Sequence, residues 1–270
     1  MMMRLFLLLV LILVLSMNHT AHAGGSATFA AFDYGFSGPE FVPAGVTTVE
    51  IVNQGLDLHH AQLIRLPQGK TAEDFQQALK TSHQVPEWAV LIGGPNAVIP
   101  GERAAAIVNL DPGNYVVLCL IPDRDNTPHV ALGMAKPFQV RGKAHAVQLP
   151  TGDVRISEAD FSFVGPDTIV PGRHVVRVQN NGAQPHELLL VQLPPAGSIA
   201  DFGRAVADGV ATPPPGKAVG GVTGLPPGSE AAFLADLTPG KYGLICFFPD
   251  GEGALHYSRG MMTEFTVASK

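Results

Sequence analysis

Apolar and polar residues alternate along short stretches of this chain, and turns rich in glycine and proline separate the stretches. Alternation with a period of two predicts β-strands, because successive side chains of a strand point to opposite faces of the sheet. The chain is therefore predicted to be all-β and built from short strands. In the first half, strands are predicted at residues 32–36, 47–52, 58–66, 104–110, 115–119 and 136–140.

A short helix interrupts these strands in each half of the chain. Thr71 is followed three positions later by Asp74, and Ser198 is followed in the same way by Asp201. A hydroxyl residue with an acidic residue three positions further on is typical of a helix N-terminus, because the side chains satisfy free backbone N–H groups of the first turn. The segment after the first helix, residues 82–100, is predicted to be a loop.

The two halves of the chain are copies of each other. Shifting the sequence by 127 positions aligns them without a gap and pairs Asn53 with Asn180 and His59 with His186. On this register roughly a third of the aligned positions are identical. Two copies indicate a duplicated domain, because a solenoid needs more repeats to bury its core. Each copy is predicted to be a β-sandwich with one inserted helix.

The repeat also predicts the domain organisation. A length of 270 residues leaves room for two domains that each bury a core. We call the first copy unit one and the second copy unit two. The predicted organisation is a signal peptide at residues 1–23, unit one at 24–143, a linker at 144–153 and unit two at 154–270.

The N-terminal segment is predicted to be an export signal. Arg4 supplies a short positive region, residues 5–15 form an apolar stretch, and Ala21-His22-Ala23 offers a small-x-small cleavage site. An uncleaved membrane anchor is the alternative, but the apolar stretch is short for a membrane span. We therefore predict cleavage, a periplasmic or secreted location, and no stable membrane insertion of the mature chain.

Charge and motifs argue against several classes of function. The net charge of −6 leaves no basic patch, so nucleic acid is not a predicted partner. No Ser-His-Asp order, paired carboxylates or phosphate-binding loop stands out, so we predict no small-molecule substrate. The acidic runs that begin at Asp123 and Asp250 lack the longer ligand series of a calcium loop and are interpreted as solvated turns.

A thiol, an imidazole and a thioether recur in both units with the spacing C-x9-H-x4-M. A soft thiolate, a nitrogen ligand and a weak sulfur ligand suit copper better than zinc or a hard cation. Taken alone, each such residue is more often a core or surface residue than a ligand, and the methionines have core filling as their alternative role. The recurrence favours a metal site. The residues are Cys119, His129 and Met134 in unit one and Cys246, His256 and Met261 in unit two.

A blue copper site needs a second histidine. Neighbouring residues of a strand face opposite sides, so only one of His59 and His60 points inward. The repeat pairs His59 with His186, whereas it pairs His60 with Glu187, a residue that a soft copper site would not favour. We predict that His59 and His186 are the inward ligands and that His60 points outward.

With these ligands in place, each half resembles a cupredoxin, the blue copper domain of the plastocyanin and azurin type. The resemblance implies two tandem Greek-key β-sandwiches with one copper ion each, up to two in total. It also implies that two histidines and the cysteine bind copper in a plane, with methionine as a long axial ligand. The motifs that carry it are Val42-Pro43-Ala44-Gly45, Asn180-Asn181-Gly182-Ala183-Gln184-Pro185-His186, Pro239-Gly240-Lys241-Tyr242 and the closing Gly-Met pairs.

The chain departs from this family in one respect. The loop between the cysteine and the second histidine is longer than in small electron carriers and is closer to that of the type 1 domain of copper nitrite reductases.

Multicopper oxidases flank this cysteine with histidines, whereas Leu118 and Leu120 flank Cys119 here. We therefore predict no oxidase or nitrite reductase activity, and we predict that the protein is not an enzyme.

Three functions remain open from the sequence. The leading hypothesis is an exported protein that passes single electrons through one or two type 1 copper sites to a redox partner protein. The second is a copper-binding or copper-delivery protein without a redox role. The third is a metal-free β-sandwich that acts as a binding module. For the two cysteines a disulfide is the alternative, but their equivalent places in two repeats predict that they lie far apart.

Overall fold

The computed structural model describes residues 24–82, 85–143, 148–207 and 214–268. In these ranges the chain forms eighteen strands, two α-helices and two short 3₁₀ helices. The predicted signal peptide lies outside the described residues. None of the helices in the described ranges has the length and apolar character that crossing a membrane requires.

The order of elements is the same in the two units. Unit one contains β1 (Gly25–Phe32), β2 (Gly35–Ser37), β3 (Phe41–Pro43), β4 (Gly45–Asn53), β5 (Gln62–Leu66), α1 (Ala72–Ser82), β6 (Val90–Gly93), β7 (Arg103–Leu110), β8 (Gly113–Leu118), a 3₁₀ helix (His129–Leu132) and β9 (Ala135–Arg141). Unit two contains β10 (Val154–Ala159), β11 (Ser162–Val164), β12 (Thr168–Ile169), β13 (Gly172–Asn180), β14 (His186–Leu193), α2 (Ile199–Ala207), β15 (Lys217–Leu225), β16 (Glu230–Leu237), β17 (Gly240–Ile245), a 3₁₀ helix (His256–Arg259) and β18 (Met262–Val267).

Three sheets build the molecule. Unit one has a five-stranded sheet of order β3-β9-β8-β5-β6, and unit two has the equivalent sheet of order β12-β18-β17-β14-β15. The third sheet has eight strands in the order β11-β10-β13-β16-β7-β4-β1-β2, so it runs through both units. In each unit the five-stranded sheet packs against its half of this shared sheet, as in the contact between the Phe29 and Phe138 rings at 5.4 Å. The join is a short antiparallel pairing of β16 with β7.

The strand and helix predictions hold best where the pattern is long. The strand predicted at residues 47–52 lies within β4, and the Thr71 side chain accepts the Asp74 N–H at 3.1 Å, as the helix start requires. The prediction of one strand at residues 32–36 is wrong, because β1 ends at Phe32, a turn follows at residues 33 and 34, and β2 begins at Gly35. The segment predicted as a loop at residues 82–100 contains the strand β6, which pairs with β5.

The apolar interior is continuous between the units. One cluster of buried residues includes side chains from both copies, among them Val98 and Val222. The contact around them is reciprocal, because Asn96 N–H donates to the Gly221 carbonyl at 3.2 Å and Thr223 N–H donates to the Gly94 carbonyl at 2.9 Å. These donors and acceptors are equivalent positions of the repeat. The units therefore face each other across an approximate two-fold axis.

Candidate metal centres

Three ligand atoms converge at one end of unit one. Nδ1 of His59 lies 3.1 Å from Nδ1 of His129, which lies 3.5 Å from Sγ of Cys119. All three side chains are fully buried, and their ligand atoms lie within 4.8 Å of one another. Two imidazole nitrogens and one sulfur thus face a common point.

Unit two repeats this arrangement. Nδ1 of His186 lies 2.9 Å from Nδ1 of His256, which lies 3.5 Å from Sγ of Cys246. These three side chains are also fully buried and mutually close. Both cysteines are free, and each belongs to its own cluster, so the disulfide alternative is wrong.

The long loop folds back so that its histidine reaches the cysteine. Cys119 follows β8 directly, and its carbonyl accepts the Val130 N–H at 2.8 Å. The His129 N–H donates to the Ile121 carbonyl at 2.9 Å. At the loop tip the Asp123 carboxylate accepts backbone N–H groups within the turn. The acidic run therefore shapes the turn, as the interpretation of it as a solvated turn expects.

A backbone hydrogen bond joins each methionine to the cysteine of its unit. The Cys119 N–H donates to the Met134 carbonyl at 3.2 Å, and Cys246 and Met261 make the same bond at 3.2 Å. Both methionine side chains are fully buried in the cluster of apolar residues that includes the cysteines. This placement brings all four predicted ligands of each unit to the same end of the sandwich, with axial ligation by methionine remaining a prediction.

A carboxylate that the sequence analysis missed holds the first histidine of each unit. Oδ1 of Asp33 lies 2.6 Å from Nε2 of His59, and Oδ1 of Asp160 lies 2.6 Å from Nε2 of His186. If Nε2–H donates to the carboxylate, Nδ1 keeps its lone pair for a metal. The repeat register aligns these two aspartates, and this was the available signal.

Hydrogen bonds keep this carboxylate ionised. Burial raises the pKa of Asp33, but the Leu56 N–H and the His59 ring donate to it and outweigh burial, so its pKa lies below the ordinary value. The same balance lowers the pKa of Asp160, where the Ala183 N–H and the His186 ring are the donors. An ionised carboxylate is the form that accepts a hydrogen bond from the imidazole N–H.

The prediction that His60 points outward is wrong in part. His60 does face away from the ligand cluster, but its side chain is buried, and Nε2 accepts the Leu120 N–H at 2.8 Å. Glu187 occupies the equivalent place, and its Oε1 accepts the Phe247 N–H at 3.1 Å. Each of these residues therefore fixes the backbone that follows the cysteine. Burial lowers the pKa of His60 to about 3, so the ring is neutral.

Without a metal, the cysteine and the second histidine of each cluster are uncharged at neutral pH. Burial raises the pKa of Cys119 to about 12 and that of Cys246 well above its ordinary value. Burial and the neighbouring histidine lower the pKa of His129 and of His256 to about 4. A cysteine sulfur and imidazole nitrogens are donors that a soft cation can use once the thiol proton leaves. The donor set therefore fits a copper ion.

Aromatic rings cover the second histidines. The Tyr34 ring lies 4.7 Å from the His129 ring, and the Phe161 ring lies 4.9 Å from the His256 ring. Nε2 of each of these histidines is buried and has no hydrogen-bond partner among the described residues. The ring nitrogen that does not face the cluster is thus buried, and an aromatic ring packs against each imidazole.

Unit two has a buried acid that unit one lacks. Glu158 is fully buried in β10, and both carboxylate oxygens have no hydrogen-bond partner within the described part of the chain. Its equivalent in unit one is Ala31. Burial and the nearby Glu187 raise the pKa of Glu158 to about 8, so the side chain holds a proton at neutral pH.

Solved structures similar to this chain include copper proteins, whereas no protein-family model and no curated protein matches it. The dithionite-reduced auracyanin of Roseiflexus castenholzii is 22% identical and has a TM-score of 0.32, with 43% of this chain and 95% of that chain covered. Auracyanin A of Chloroflexus aurantiacus, a "blue" copper protein, is 14% identical with a TM-score of 0.29, covering 43% and 99%. The copper-containing nitrite reductase of Thermus scotoductus is 15% identical with a TM-score of 0.25, covering 91% and 61%.

The prediction of an all-β protein built from two tandem β-sandwiches is confirmed by the sheets and by the repeated order of elements. Each unit carries one short inserted α-helix and one cluster of two histidines and a cysteine.

Proposed function

We propose that the protein binds one copper ion in each unit and passes single electrons through these two sites. The observation that carries the proposal is the duplicated cluster, in which two imidazole Nδ1 atoms and one thiol sulfur converge in both units. Bound copper would supply the one-electron chemistry. The residues of the chain set the shape of the site, exclude water from it and orient the ligands.

The surrounding residues are suited to holding a site rigid between two oxidation states. The Asp33 carboxylate sets the tautomer of His59, and the Leu120 N–H bond to His60 fixes the backbone after the cysteine. Complete burial of the ligands excludes water from them. A ligand set that cannot rearrange keeps the same geometry in both oxidation states, which favours electron transfer.

We further propose that the chain is exported and turns over no substrate. Export is supported by the leader-like composition of residues 1–23. Electron transfer without catalysis is supported by the apolar residues that flank the cysteines, Leu118 and Leu120 in unit one and Ile245 and Phe247 in unit two. A redox partner protein is the partner that this function requires.

A second candidate function is copper storage or delivery without a redox partner. The observation that favours it is the enclosure of the second histidines, because Nε2 of His129 and of His256 is buried and an aromatic ring packs against each imidazole. Such enclosure slows exchange of electrons with another protein. A slow self-exchange rate together with tight Cu(I) binding would favour this second function.

The visible spectrum of the mature protein during titration with Cu(II) tests the main proposal. We expect an intense thiolate-to-copper band that saturates at two ions per chain. Cys119→Ser and Cys246→Ser should each remove one ion and part of the band, and the double variant should be colourless. Titration with Zn(II) is the control, because it fills the sites without colour. A colourless protein after copper loading would overturn the proposal. Where the band forms, the self-exchange rate measured by NMR line broadening distinguishes electron transfer from storage.

A further inference from the structure

A chain of buried side chains runs between the two centres. On the unit one side, the N–H of Leu120, the residue after the ligand Cys119, donates to Nε2 of His60 at 2.8 Å. Since Nε2 accepts, the proton of the neutral ring is on Nδ1. Asn96 lies opposite this imidazole, because backbone hydrogen bonds join His59 to Val98 and Ala61 to Pro95 on either side of the two residues, and its side chain interacts with the ring.

The same chain continues into unit two. Nδ2 of Asn96 donates to Oε2 of Glu187 at 3.3 Å, and Oε1 of Glu187 accepts the N–H of Phe247 at 3.1 Å. Phe247 follows the ligand Cys246. The N–H of Glu187 itself points to Sγ of Cys246 at 3.4 Å. His60, Asn96 and Glu187 therefore connect the backbone beside one cysteine to the backbone beside the other.

The bridge is held in one arrangement. The exposed fractions of its members are 6% for His60, 2% for Asn96 and 9% for Glu187. The Asn96 amide also donates to the carbonyls of Leu188 and Val222, each at 3.1 Å. A buried network whose members are all bonded is rigid, and its bonds polarise one another.

The bridge also breaks the symmetry of the repeat. An exact two-fold axis would place like residues opposite each other, but the repeat pairs His60 with Glu187 and Asn96 with Thr223. These differences place a carboxylate at one end of the bridge, where it accepts the Asn96 amide and the Phe247 N–H. Two histidines at these positions would lack the two free acceptors that Glu187 supplies to Asn96 and Phe247.

We propose that the His60–Asn96–Glu187 bridge couples the two centres, so that a metal ion in one unit changes the affinity of the other unit for its ion. The inference rests on the proposed function, because it requires both clusters to bind. Hydrogen bonds around a ligating sulfur set its electron density. Replacing a neutral thiol by a metal thiolate in unit one changes the field at the Leu120 N–H, and the bridge carries this change to Cys246.

Equilibrium dialysis against buffered Cu(II) measures this coupling. The coupling factor is the overall constant for binding two ions divided by the product of the constants of the two single-site variants, Cys119→Ser and Cys246→Ser. We expect a factor that differs from one by about fivefold or more. In the Glu187→Gln background the amide places a donor against the Asn96 donor, so the factor should fall to about one while both sites still fill.

A matched control separates the bridge from general contact between the units. Gln62 is buried and its side chain bonds across the units to the Gly224 carbonyl at 3.3 Å, outside the bridge. Gln62→Leu should keep the coupling factor, and Asn96→Leu, checked for folding by circular dichroism, should abolish it as Glu187→Gln does. A factor of one in the unsubstituted protein, or one that neither bridge variant changes, would overturn the inference. Failure of both sites to bind at all would instead overturn the proposed function.

Discussion

Oδ1 of Asp33 lies 2.6 Å from Nε2 of His59, and the opposite ring nitrogen faces the ligand cluster. One carboxylate on the turn after β1 therefore decides which nitrogen of a distant histidine is free for a metal. The same pair recurs in unit two as Asp160 and His186. This contact is kept in both copies while most neighbouring positions differ. Its recurrence indicates that the carboxylate belongs to the site.

Asp33→Asn should weaken copper binding in unit one by about 10–100-fold, because the amide no longer fixes the His59 tautomer or raises its basicity. Competition with a chelator in the Cys246→Ser background measures this affinity. Asp57→Asn is the matched control, since Asp57 loses the same charge nearby but bonds to the Tyr34 hydroxyl. Equal losses in the two variants would mean that charge alone, rather than the contact with the ring, is responsible.

The affinity for copper should rise with pH. Burial raises the pKa of Cys119 to about 12, so the thiol holds its proton in the metal-free protein and must release it on binding. The His129 pKa of about 4 means that this ring is already neutral above pH 6. The binding constant in the Cys246→Ser background should therefore increase about tenfold per pH unit between pH 6 and 8. A constant that does not depend on pH would show that the thiol is ionised before metal arrives.

Glu158 should make the metal-free protein less stable as the pH rises. Its folded pKa of about 8 lies above the value of about 4.3 for an unfolded glutamate, so the folded state alone keeps the proton between these values. The contribution of Glu158 to the free energy of unfolding is therefore greatest below about pH 4.3. It falls by roughly 1.4 kcal/mol per pH unit between about pH 4.3 and about pH 8. Glu187, with a pKa of about 7, acts in the same direction.

Urea unfolding at pH 5 and pH 8 measures this effect. Glu158→Gln should reduce the loss of unfolding free energy between the two pH values without abolishing it, because Glu187 remains. The reverse substitution in unit one, Ala31→Glu, should add a loss of the same sign. An identical loss in the Glu158→Gln and unsubstituted proteins would show that Glu158 is already ionised in the fold.

Gly94→Ala should destabilise unit one close to its contact with unit two. A Cβ at this position would lie 2.1 Å from the Ala61 carbonyl oxygen, and the backbone φ is +142°. We expect a cost of about 3 kcal/mol or more in unfolding free energy, from overpacking and backbone strain together. Gly69→Ala is the control, because its φ is +83° but nothing lies within 4 Å of the added carbon, so it should cost only about 1 kcal/mol. Equal costs would mean that the backbone, rather than the contact, limits this position.

The sequence predicted the parts of the site that the repeat preserves. His59, Cys119 and His129 were found because spacing along the chain and the register between copies are visible without coordinates. The sequence does not predict the role of Asp33, because this role depends on a turn that brings two separate segments together, whereas the alternation of residues 32–36 predicts a strand there. The burial of His60 was missed for a related reason, since alternation along a strand gives the face of a residue but not what covers that face.

The eight-stranded sheet makes the two copies depend on each other. β7 and β16 are the strands that meet at its centre, and separation of the copies would turn each of them into an open edge. Unpaired edges invite pairing with other chains. Duplication has thus produced halves that protect each other from aggregation, and either half cut free would need a new partner for its exposed strand.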